Sequence, residues 1–211
     1  MVITDYPELT EQIYTWLGTR MKELSGPRSG GIHLTELIYC LTASYWKRLD
    51  PLPNTGKQDL TMALGIGLER VFIAPEVRAK VGTKDGIDYS PDFWFGEIPS
   101  EMKTTRMSTK KTITREFPET WVQQIKGYCY CEGKTEYGLA VVHLMGGYKP
   151  PFPEILSVKF TFEQQELQEF WDYILYRKSA YIEAYARQVA PIPKRWNQAW
   201  ECEYCQYPNR C

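Results

Sequence analysis

The chain has 211 residues, of which 25 are Lys or Arg and 26 are Asp or Glu, so its net charge is −1. This balance excludes a protein that is basic over its whole surface, and no run of about 18 apolar residues exists to span a membrane. The apolar fraction of 43% is enough for one domain with a buried core. The first residues lack the apolar stretch of a secretory signal, so we expect a cytoplasmic protein whose six cysteines do not form disulfides.

Helices are predicted for the first part of the chain. Apolar residues recur at helical spacing in three segments, over 6–25, 34–48 and 59–74. Thr35 is the expected cap of the second helix, which contains Cys40. Gly65 and Gly67 would let the third helix pack closely against a neighbouring element.

The pattern then changes to the period of strands. Three short strands joined by glycine-containing turns are predicted over 77–83, 86–95 and 97–103. The elements that follow are a helix, two strands and a long helix, over 119–132, 137–145, 154–161 and 163–189. This order predicts an α/β fold with a mixed sheet flanked by helices. Within one domain over 1–211 we expect a helical part, a core and a C-terminal part, over 1–58, 59–161 and 162–211.

Two acidic residues and a lysine in the strand region have a spacing that predicts a metal site. Asp92 follows Pro91, Glu101 comes after eight intervening residues, and Lys103 lies two residues further on. Carboxylates from adjoining strands can hold Mg²⁺ or Mn²⁺, which prefer oxygen ligands. Lys103 shares a strand face with Glu101, so it could orient or deprotonate an attacking water and offset charge on a scissile phosphate. The alternative is an ordinary hairpin with surface charges.

Other polar residues could complete such a site. Gln124 and Tyr128 are one helical turn apart and could bind a phosphate, a base or the lysine, although a half-buried helix face is the alternative. Glu69 could be a third metal ligand or a surface residue beside Arg70. The basic stretch after Lys103 could contact DNA phosphates or form a solvated loop. Its other basic residues are Arg106, Lys110, Lys111 and Arg115.

The cysteines fall into two groups. Three of them form a C-x2-C-x5-C pattern at Cys202, Cys205 and Cys211, which leaves a metal site one ligand short. Cys40 could supply the fourth thiolate if its helix packs beside the tail, and four thiolates suit zinc or an iron–sulfur cluster. Unpaired core thiols are the alternative. Cys129 and Cys131 lie in an apolar, aromatic helix and are predicted to be small buried residues.

The order of these motifs is more specific than any one of them. A cysteine in an N-terminal helix precedes G-x-G-x-E, PD-x8-E-x-K, Q-x3-Y and finally C-x2-C-x5-C. This order resembles the RecB-like branch of the PD-(D/E)XK nucleases, and specifically the CRISPR-associated Cas-four exonuclease family, over about residues 31–211. The resemblance implies a restriction-endonuclease-like fold, with a mixed central sheet and an iron–sulfur cluster that joins the N-terminal helix to the C-terminal tail.

The resemblance also implies a role for each motif residue. Asp92 and Glu101 would bind Mg²⁺ or Mn²⁺, with Glu69 as a third ligand where many relatives have histidine. Lys103 would be the catalytic lysine. The remaining implied roles are the Q-x3-Y pair of Gln124 and Tyr128 and a [4Fe–4S] or [2Fe–2S] cluster, the first favoured, on Cys40, Cys202, Cys205 and Cys211. Asp88 is a second possible acid, and we prefer Asp92 for its proline and its spacing.

The implied activity is exonucleolytic cleavage of single-stranded DNA in CRISPR adaptation or other DNA processing. The cluster would be structural, and the partners would be DNA, CRISPR integration proteins and further copies of the chain. A different class is the alternative: a non-catalytic or zinc-stapled module that binds DNA or acts as an adaptor.

Overall fold

A computed structural model describes residues 5–25, 30–192 and 200–210 of the chain. The chain divides into two compact units, one formed by Met1–Gly30 and Pro53–Ala74, the other by Gly31–Leu52 and Pro75–Cys211. The single domain over 1–211, with its three expected parts, stays a prediction. No helix in the described ranges combines the length and the apolar character that crossing a membrane would require.

The described helices and strands follow one another in mixed order. The helices are α1 (Pro7–Ser25), α2 (Leu34–Ile38), α3 (Leu41–Leu49), α4 (Gly56–Phe72), α5 (Thr109–Ile113), α6 (Glu119–Glu132), α7 (Gln164–Arg187) and α8 (Trp200–Glu203). The strands are β1 (Ile32–His33), β2 (Gly82–Lys84), β3 (Ile87–Tyr89), β4 (Phe93–Phe95), β5 (Ile98–Thr105), β6 (Glu136–His143) and β7 (Glu154–Thr161). Single 3₁₀ turns lie at Pro75–Val77 and Pro208–Arg210.

The first unit consists of α1 packed on α4. The two helices approach closely at Gly56, where an added Cβ would lie 2.5 Å from the ring of Tyr14. Helix α4 begins three residues before the predicted position because Thr55 and Gln58 cap it reciprocally, and the Thr55 N–H donates to Gln58 Oε1 at 2.8 Å. The close packing predicted at Gly65 and Gly67 is not seen within this unit, where an added Cβ would meet no described atom within 4 Å.

The second unit contains two sheets. Four strands pair in the order β4-β5-β6-β7, with β5 and β6 parallel and the other neighbours antiparallel. Strands β1, β3 and β2 form a smaller sheet in which β1 and β3 are parallel. Helix α6 packs on β5 and β6, and α7 packs on α6. The sheet is therefore mixed and flanked by helices, as predicted.

The core of this unit is apolar and aromatic. Helix α7 contributes a stripe of buried residues at helical spacing, namely Leu167, Phe170, Trp171, Ile174, Tyr181 and Ala184. This stripe meets residues of α2, α6 and β6, including the fully buried Leu37, Ile125 and Tyr137. Burial of this continuous apolar surface holds α2, α6 and β6 in place around α7.

The helix predicted over 34–48 is broken. Helix α2 ends at Ile38, Tyr39 is extended, and Cys40 is the N-cap of α3. Thr35 lies inside α2 and is not its cap, because the N-cap is His33, whose backbone N–H donates to Glu36 Oε2 at 2.8 Å. The backbone groups at the break bind partners from distant parts of the chain, which no local pattern in the sequence reveals.

The strand predicted over 86–95 is broken too. It separates into β3 and β4 around Pro91, which cannot donate a ladder hydrogen bond. The strand predicted over 77–83 is shorter and lies later in the chain: of that segment only Gly82 and Thr83 belong to β2, which continues to Lys84. The later elements lie within two residues of their predicted ends, because long periodic segments carry the strongest sequence signal.

Candidate active site

A hairpin places Asp92 beside the strand that carries Glu101. Strands β4 and β5 pair with Phe93 opposite Ser100, and Asp92 lies just before β4. The Asp92 N–H donates to the Ser100 carbonyl at 3.2 Å, and Asp92 Oδ2 accepts the Met102 N–H at 2.8 Å. Asp92 is therefore held against the β5 segment that carries Glu101.

Lys103 lies at the centre of a hydrogen-bonded cluster. Its Nζ is 2.6 Å from Glu101 Oε1 and 2.8 Å from Gln124 Oε1. Gln124 Nε2 donates to Glu101 Oε1 at 3.1 Å and to the Tyr128 hydroxyl at 2.9 Å. Gln124 and Tyr128 are one turn apart on α6, which packs on β5. The structure thus brings together the two β5 residues, Glu101 and Lys103, and the two predicted residues of α6.

Burial and charge together set the protonation of this cluster. Burial raises the pKa of Asp92, against the lowering effects of the Met102 N–H, Lys103 and Arg78. Burial lowers the pKa of Lys103, but the charge and hydrogen bond of Glu101, with the charge of Asp92, outweigh it and leave that pKa raised. Lys103 is therefore an ammonium group in this arrangement.

The cluster has more negative than positive charge, so a bound cation would balance it. Glu101 is only 4% exposed, and two carboxylates face a single ammonium group. Buried charge needs compensation, and carboxylate oxygens are the ligands that Mg²⁺ and Mn²⁺ prefer. Asp92 and Glu101 therefore fit a divalent cation in charge and in chemistry. The described residues include no group of three or more His, Cys, Asp or Glu side chains placed to hold a metal.

Two further tyrosines, Tyr137 and Tyr89, lie near Tyr128 and belong to no motif in the sequence. Tyr137 on β6 is fully buried, and its hydroxyl lies 3.5 Å from Glu101 Oε2. Its ring is 6.1 Å from the ring of Tyr128, which is 6.2 Å from the ring of Tyr89. Burial, and then the charge of Glu101, raises the pKa of both Tyr128 and Tyr137, so both are neutral phenols. A tyrosine in an apolar strand is typical of a core residue, so local spacing did not identify Tyr137.

The other two candidate acids are on other elements. Asp88 is on β3, where its Oδ1 accepts a hydrogen bond from the Thr83 hydroxyl at 2.8 Å. Glu69 is on α4 of the first unit, and its backbone carbonyl accepts the Ile73 N–H. The role of Glu69 as a third metal ligand stays a prediction.

The basic stretch after Lys103 forms an exposed loop and the short helix α5. Its exposed basic residues are Arg106, Lys110, Lys111 and Arg115. Lys111 forms an ion pair with Glu116. Fully buried His143 anchors the stretch, with Nδ1 2.7 Å from the Met107 carbonyl and Nε2 3.0 Å from the Thr112 hydroxyl. His143 is therefore a buried histidine with both ring nitrogens bonded, and it ties the backbone of this stretch to β6.

The C-terminal segment lies against the Cys40 turn. The Cys40 N–H donates to Glu201 Oε2 at 2.9 Å, and Arg210 forms an ion pair of 2.6 Å with Asp50. Cys205 closes a turn on Cys202, through a hydrogen bond of 3.3 Å between the Cys205 N–H and the Cys202 carbonyl. Cys211 lies outside the described residues.

The surroundings of the Cys205 sulfur differ from those of the two α6 cysteines, Cys129 and Cys131. Cys205 Sγ accepts the Tyr207 N–H at 3.3 Å, the kind of bond that stabilises a metal-bound thiolate. Burial raises the pKa of the Cys129 thiol to about 12, and burial also raises that of Cys131. Cys129 is fully buried, as predicted, whereas Cys131 is only half-buried.

No protein-family model matches the chain, and no curated protein shows significant similarity to it. Solved structures do match. The crystal structure of SSO0001 has a TM-score of 0.58 at 17% identity, over 96% of this chain and 95% of that one. An alkaline exonuclease from Laribacter hongkongensis has a TM-score of 0.53 at 14% identity, over 76% of this chain and 94% of that one. A phage-related exonuclease from Haemophilus somnus 129PT has a TM-score of 0.50 at 9% identity, over 75% and 96%. The chain therefore has the mixed α/β fold of these structures, two of which are exonucleases, and this confirms the predicted mixed α/β class. The iron–sulfur cluster within that fold stays a prediction.

Proposed function

We propose that the chain is a divalent-metal-dependent deoxyribonuclease that acts as an exonuclease on single-stranded DNA. The observation that carries the proposal is the position of Lys103 Nζ, between Glu101 Oε1 at 2.6 Å and Gln124 Oε1 at 2.8 Å, near the half-buried carboxylate of Asp92. The fold supports it, since solved structures of exonucleases share it, and the Laribacter enzyme has also been solved in complex with dAMP, at a TM-score of 0.51.

Each residue of the cluster has a physical role in this proposal. Asp92 and Glu101 would hold Mg²⁺ or Mn²⁺, which when bound lowers the pKa of water and stabilises charge on the phosphate. Lys103, kept protonated by Glu101, would offset the negative charge that develops as the phosphodiester is hydrolysed. Gln124 would hold the Lys103 ammonium and the Glu101 carboxylate in position, and the neutral Tyr128 phenol would fix the Gln124 amide.

The test is a cleavage assay on single-stranded DNA labelled at either end, with Mg²⁺ or Mn²⁺. The wild-type protein is expected to release nucleotides in the presence of either metal and to be inactive with a chelator. Lys103→Ala should keep the fold and abolish cleavage, whereas the matched control Lys159→Ala, on exposed β7, should cleave as the wild type does. A Lys103→Ala protein with wild-type activity would contradict the role of Lys103. DNA binding without cleavage in the wild type would favour the non-catalytic module.

We also propose that Cys40, Cys202, Cys205 and Cys211 hold an iron–sulfur cluster. Two contacts support this proposal: the tail reaches the Cys40 turn through Glu201, and Cys205 Sγ accepts a backbone N–H. Soft thiolates are the donors that such clusters take, and the bound cluster would supply a cross-link between tail and core. The motif order supports CRISPR adaptation as the setting of the activity.

Colour and metal content test the cysteine site. Purified protein is expected to be brown and to contain iron and sulfide, and Cys205→Ser should lose both. Cys131→Ser is the matched control and should keep both. A colourless wild-type protein with stoichiometric zinc would show that the cysteines hold zinc and not an iron–sulfur cluster. A protein without any metal would contradict both kinds of site.

A further inference from the structure

The loop between β6 and β7, residues 144–153, is tied to the segment that follows β5. The Leu144 N–H donates to the carbonyl of Thr105, the last residue of β5, at 2.9 Å. Further along both segments, the Thr109 N–H donates to the Gly146 carbonyl at 3.0 Å. The β6–β7 loop therefore lies at the end of the strand that carries the candidate active-site lysine.

Tyr148 places an aromatic ring on the surface of this loop. It is 62% exposed, and its hydroxyl donates to the Arg106 carbonyl at 2.9 Å. Arg106 follows β5 directly and comes three residues after Lys103. Three residues of chain span at most about 11 Å. The Tyr148 ring is therefore exposed, while its hydroxyl is anchored to the backbone close to the candidate active site.

The backbone of Tyr148 has a conformation that favours glycine. Its φ is +63°, in the left-handed region, where the Cβ of an L residue is crowded. The two preceding residues are glycines, and Gly146 has a φ of +48°. A third glycine would suit this backbone better than a tyrosine that is not part of the apolar core. A strained residue with an exposed side chain points to a function for that side chain.

The surroundings of Tyr148 are positively charged. Residues 104–115 and the β6–β7 loop together contain five Lys or Arg residues, all exposed, and no Asp or Glu. Two of the five are Arg106, whose carbonyl accepts the Tyr148 bond, and Lys149, the next residue in the chain. Proteins bind single-stranded nucleic acid with this combination, because phosphates meet the positive charge and unpaired bases stack on the aromatic ring. Bases inside a duplex are already stacked on one another, so this surface fits a single strand.

We infer that Tyr148 binds single-stranded DNA by stacking on an unpaired base of the strand that enters the candidate active site, and that Arg106 and Lys149 bind neighbouring phosphates. The inference rests on the proposed function, because it concerns the substrate of the same site. Tyr148 would hold the strand and take no part in the chemical step.

The experiment measures binding of a fluorescein-labelled oligothymidylate by anisotropy, without divalent metal. Tyr148→Gly removes the ring where glycine suits the backbone, so its free energy of unfolding in urea should stay close to that of the wild type. Its Kd is expected to rise roughly fivefold to a hundredfold, because stacking on one base is lost. The matched control is Tyr6→Gly, which removes a tyrosine that is 66% exposed just before α1 and should leave Kd unchanged.

Two further variants separate stacking from charge. Tyr148→Phe keeps the ring and loses only the hydroxyl, so its Kd should lie closer to that of the wild type than to that of Tyr148→Gly. Lys149→Ala should reduce the slope of log Kd against log salt by about 1. Tyr148→Gly should leave that slope unchanged, because stacking releases no counterions. A Tyr148→Phe protein that binds as weakly as Tyr148→Gly would assign the effect to the hydroxyl bond and overturn stacking.

Cleavage kinetics test whether the bound strand is the substrate. With Mn²⁺, the KM of Tyr148→Gly should rise by a factor similar to that of its Kd. A raised Kd with an unchanged KM would show that Tyr148 binds DNA away from the path of the substrate, and would overturn the inference.

Two outcomes separate this inference from the proposed function. A wild-type protein that cleaves DNA while Tyr148→Gly has an unchanged Kd would overturn the inference and leave the nuclease intact. A wild-type protein that binds the oligonucleotide without cleaving it would overturn the nuclease, while a raised Kd of Tyr148→Gly would still support the stacking contact.

Discussion

The candidate active-site cluster around Lys103 and the cysteine region around Cys40 and Cys205 are assembled in different ways. Lys103 and Gln124 are 21 residues apart in the chain and lie on elements that pack directly on each other. Cys40 and Glu201 are 161 residues apart, and their contact exists only when the C-terminal segment has returned to the first helices of its unit. Closing such a long loop has an entropic cost that other interactions must offset. We therefore expect substitutions in the cluster around Lys103 to lower the cleavage rate, and substitutions in the cysteine region to lower the stability of the fold.

The largest expected effect is on the cleavage rate, from a substitution in the candidate active-site cluster. Asp92→Asn should reduce cleavage about a thousandfold, because it removes one of two carboxylates that would hold the metal. The measurement is the initial rate on labelled single-stranded DNA at saturating Mn²⁺. A rate within a factor of a few of the wild type would show that Asp92 is not a ligand.

The same variant should not destabilise the metal-free protein. Because burial raises the pKa of Asp92, the folded state binds its proton more tightly than the unfolded state does. Stability from this group is therefore present at low pH and lost as the pH rises through its folded-state pKa. At neutral pH we expect the metal-free Asp92→Asn protein to have a Tm equal to or above that of the wild type. A lower Tm at neutral pH would contradict this account.

The second effect belongs to the cysteine region. Cys205→Ser should lower Tm by roughly 10 °C, because loss of a metal site is among the large destabilising changes. At low temperature its cleavage rate should fall only in proportion to the folded fraction. Differential scanning calorimetry and the rate per folded molecule measure the two quantities. A lower cleavage rate per folded molecule would show that Cys205 also contributes to cleavage, and would contradict the distinction between the two regions.

The third effect concerns the contact between α2 and α6. Gly127→Ala would place a Cβ 2.5 Å from Leu34 Cδ2, and such overpacking costs about 1–3 kcal/mol of stability. In a Leu34→Ala background the same change should cost less, because the clash is gone. Urea unfolding of the four proteins of this cycle measures the difference, and an equal cost in both backgrounds would contradict the steric reason.

The smallest effect is expected in the basic stretch. Lys110→Ala should weaken DNA binding alike for all sequences and reduce the slope of log Kd against log salt by about 1. Arg187→Ala is the matched control, since Arg187 is exposed on α7 and pairs with Glu183. Salt titrations at several concentrations measure the slope, and equal slopes for both variants would remove Lys110 from the DNA-binding surface.

The sequence predicted the long elements well and the breaks poorly. The period of apolar residues located α6, β7 and α7, because each of them has one face that is less exposed than the other. The break at Tyr39 was missed because Arg177 and Glu201 satisfy its backbone groups from distant positions. Tertiary contacts of this kind leave no trace in a local window.

The candidate site shows the same contrast. Glu101, Lys103, Gln124 and Tyr128 have a regular spacing on a strand and a helix, so their shared faces could be deduced. Tyr137 could not, since its contact with Glu101 follows from the pairing of β5 with β6.

The parallel pairing of β5 and β6 has an evolutionary consequence. A parallel pair requires a crossover, and here the crossover contains α6, so one contiguous strand–helix–strand segment over 98–143 carries Glu101, Lys103, Gln124, Tyr128 and Tyr137. Their mutual distances depend mainly on this segment. Substitutions elsewhere can accumulate without moving these atoms relative to one another. This gives a physical reason why the cluster could persist in chains that share this fold at only 9–17% identity.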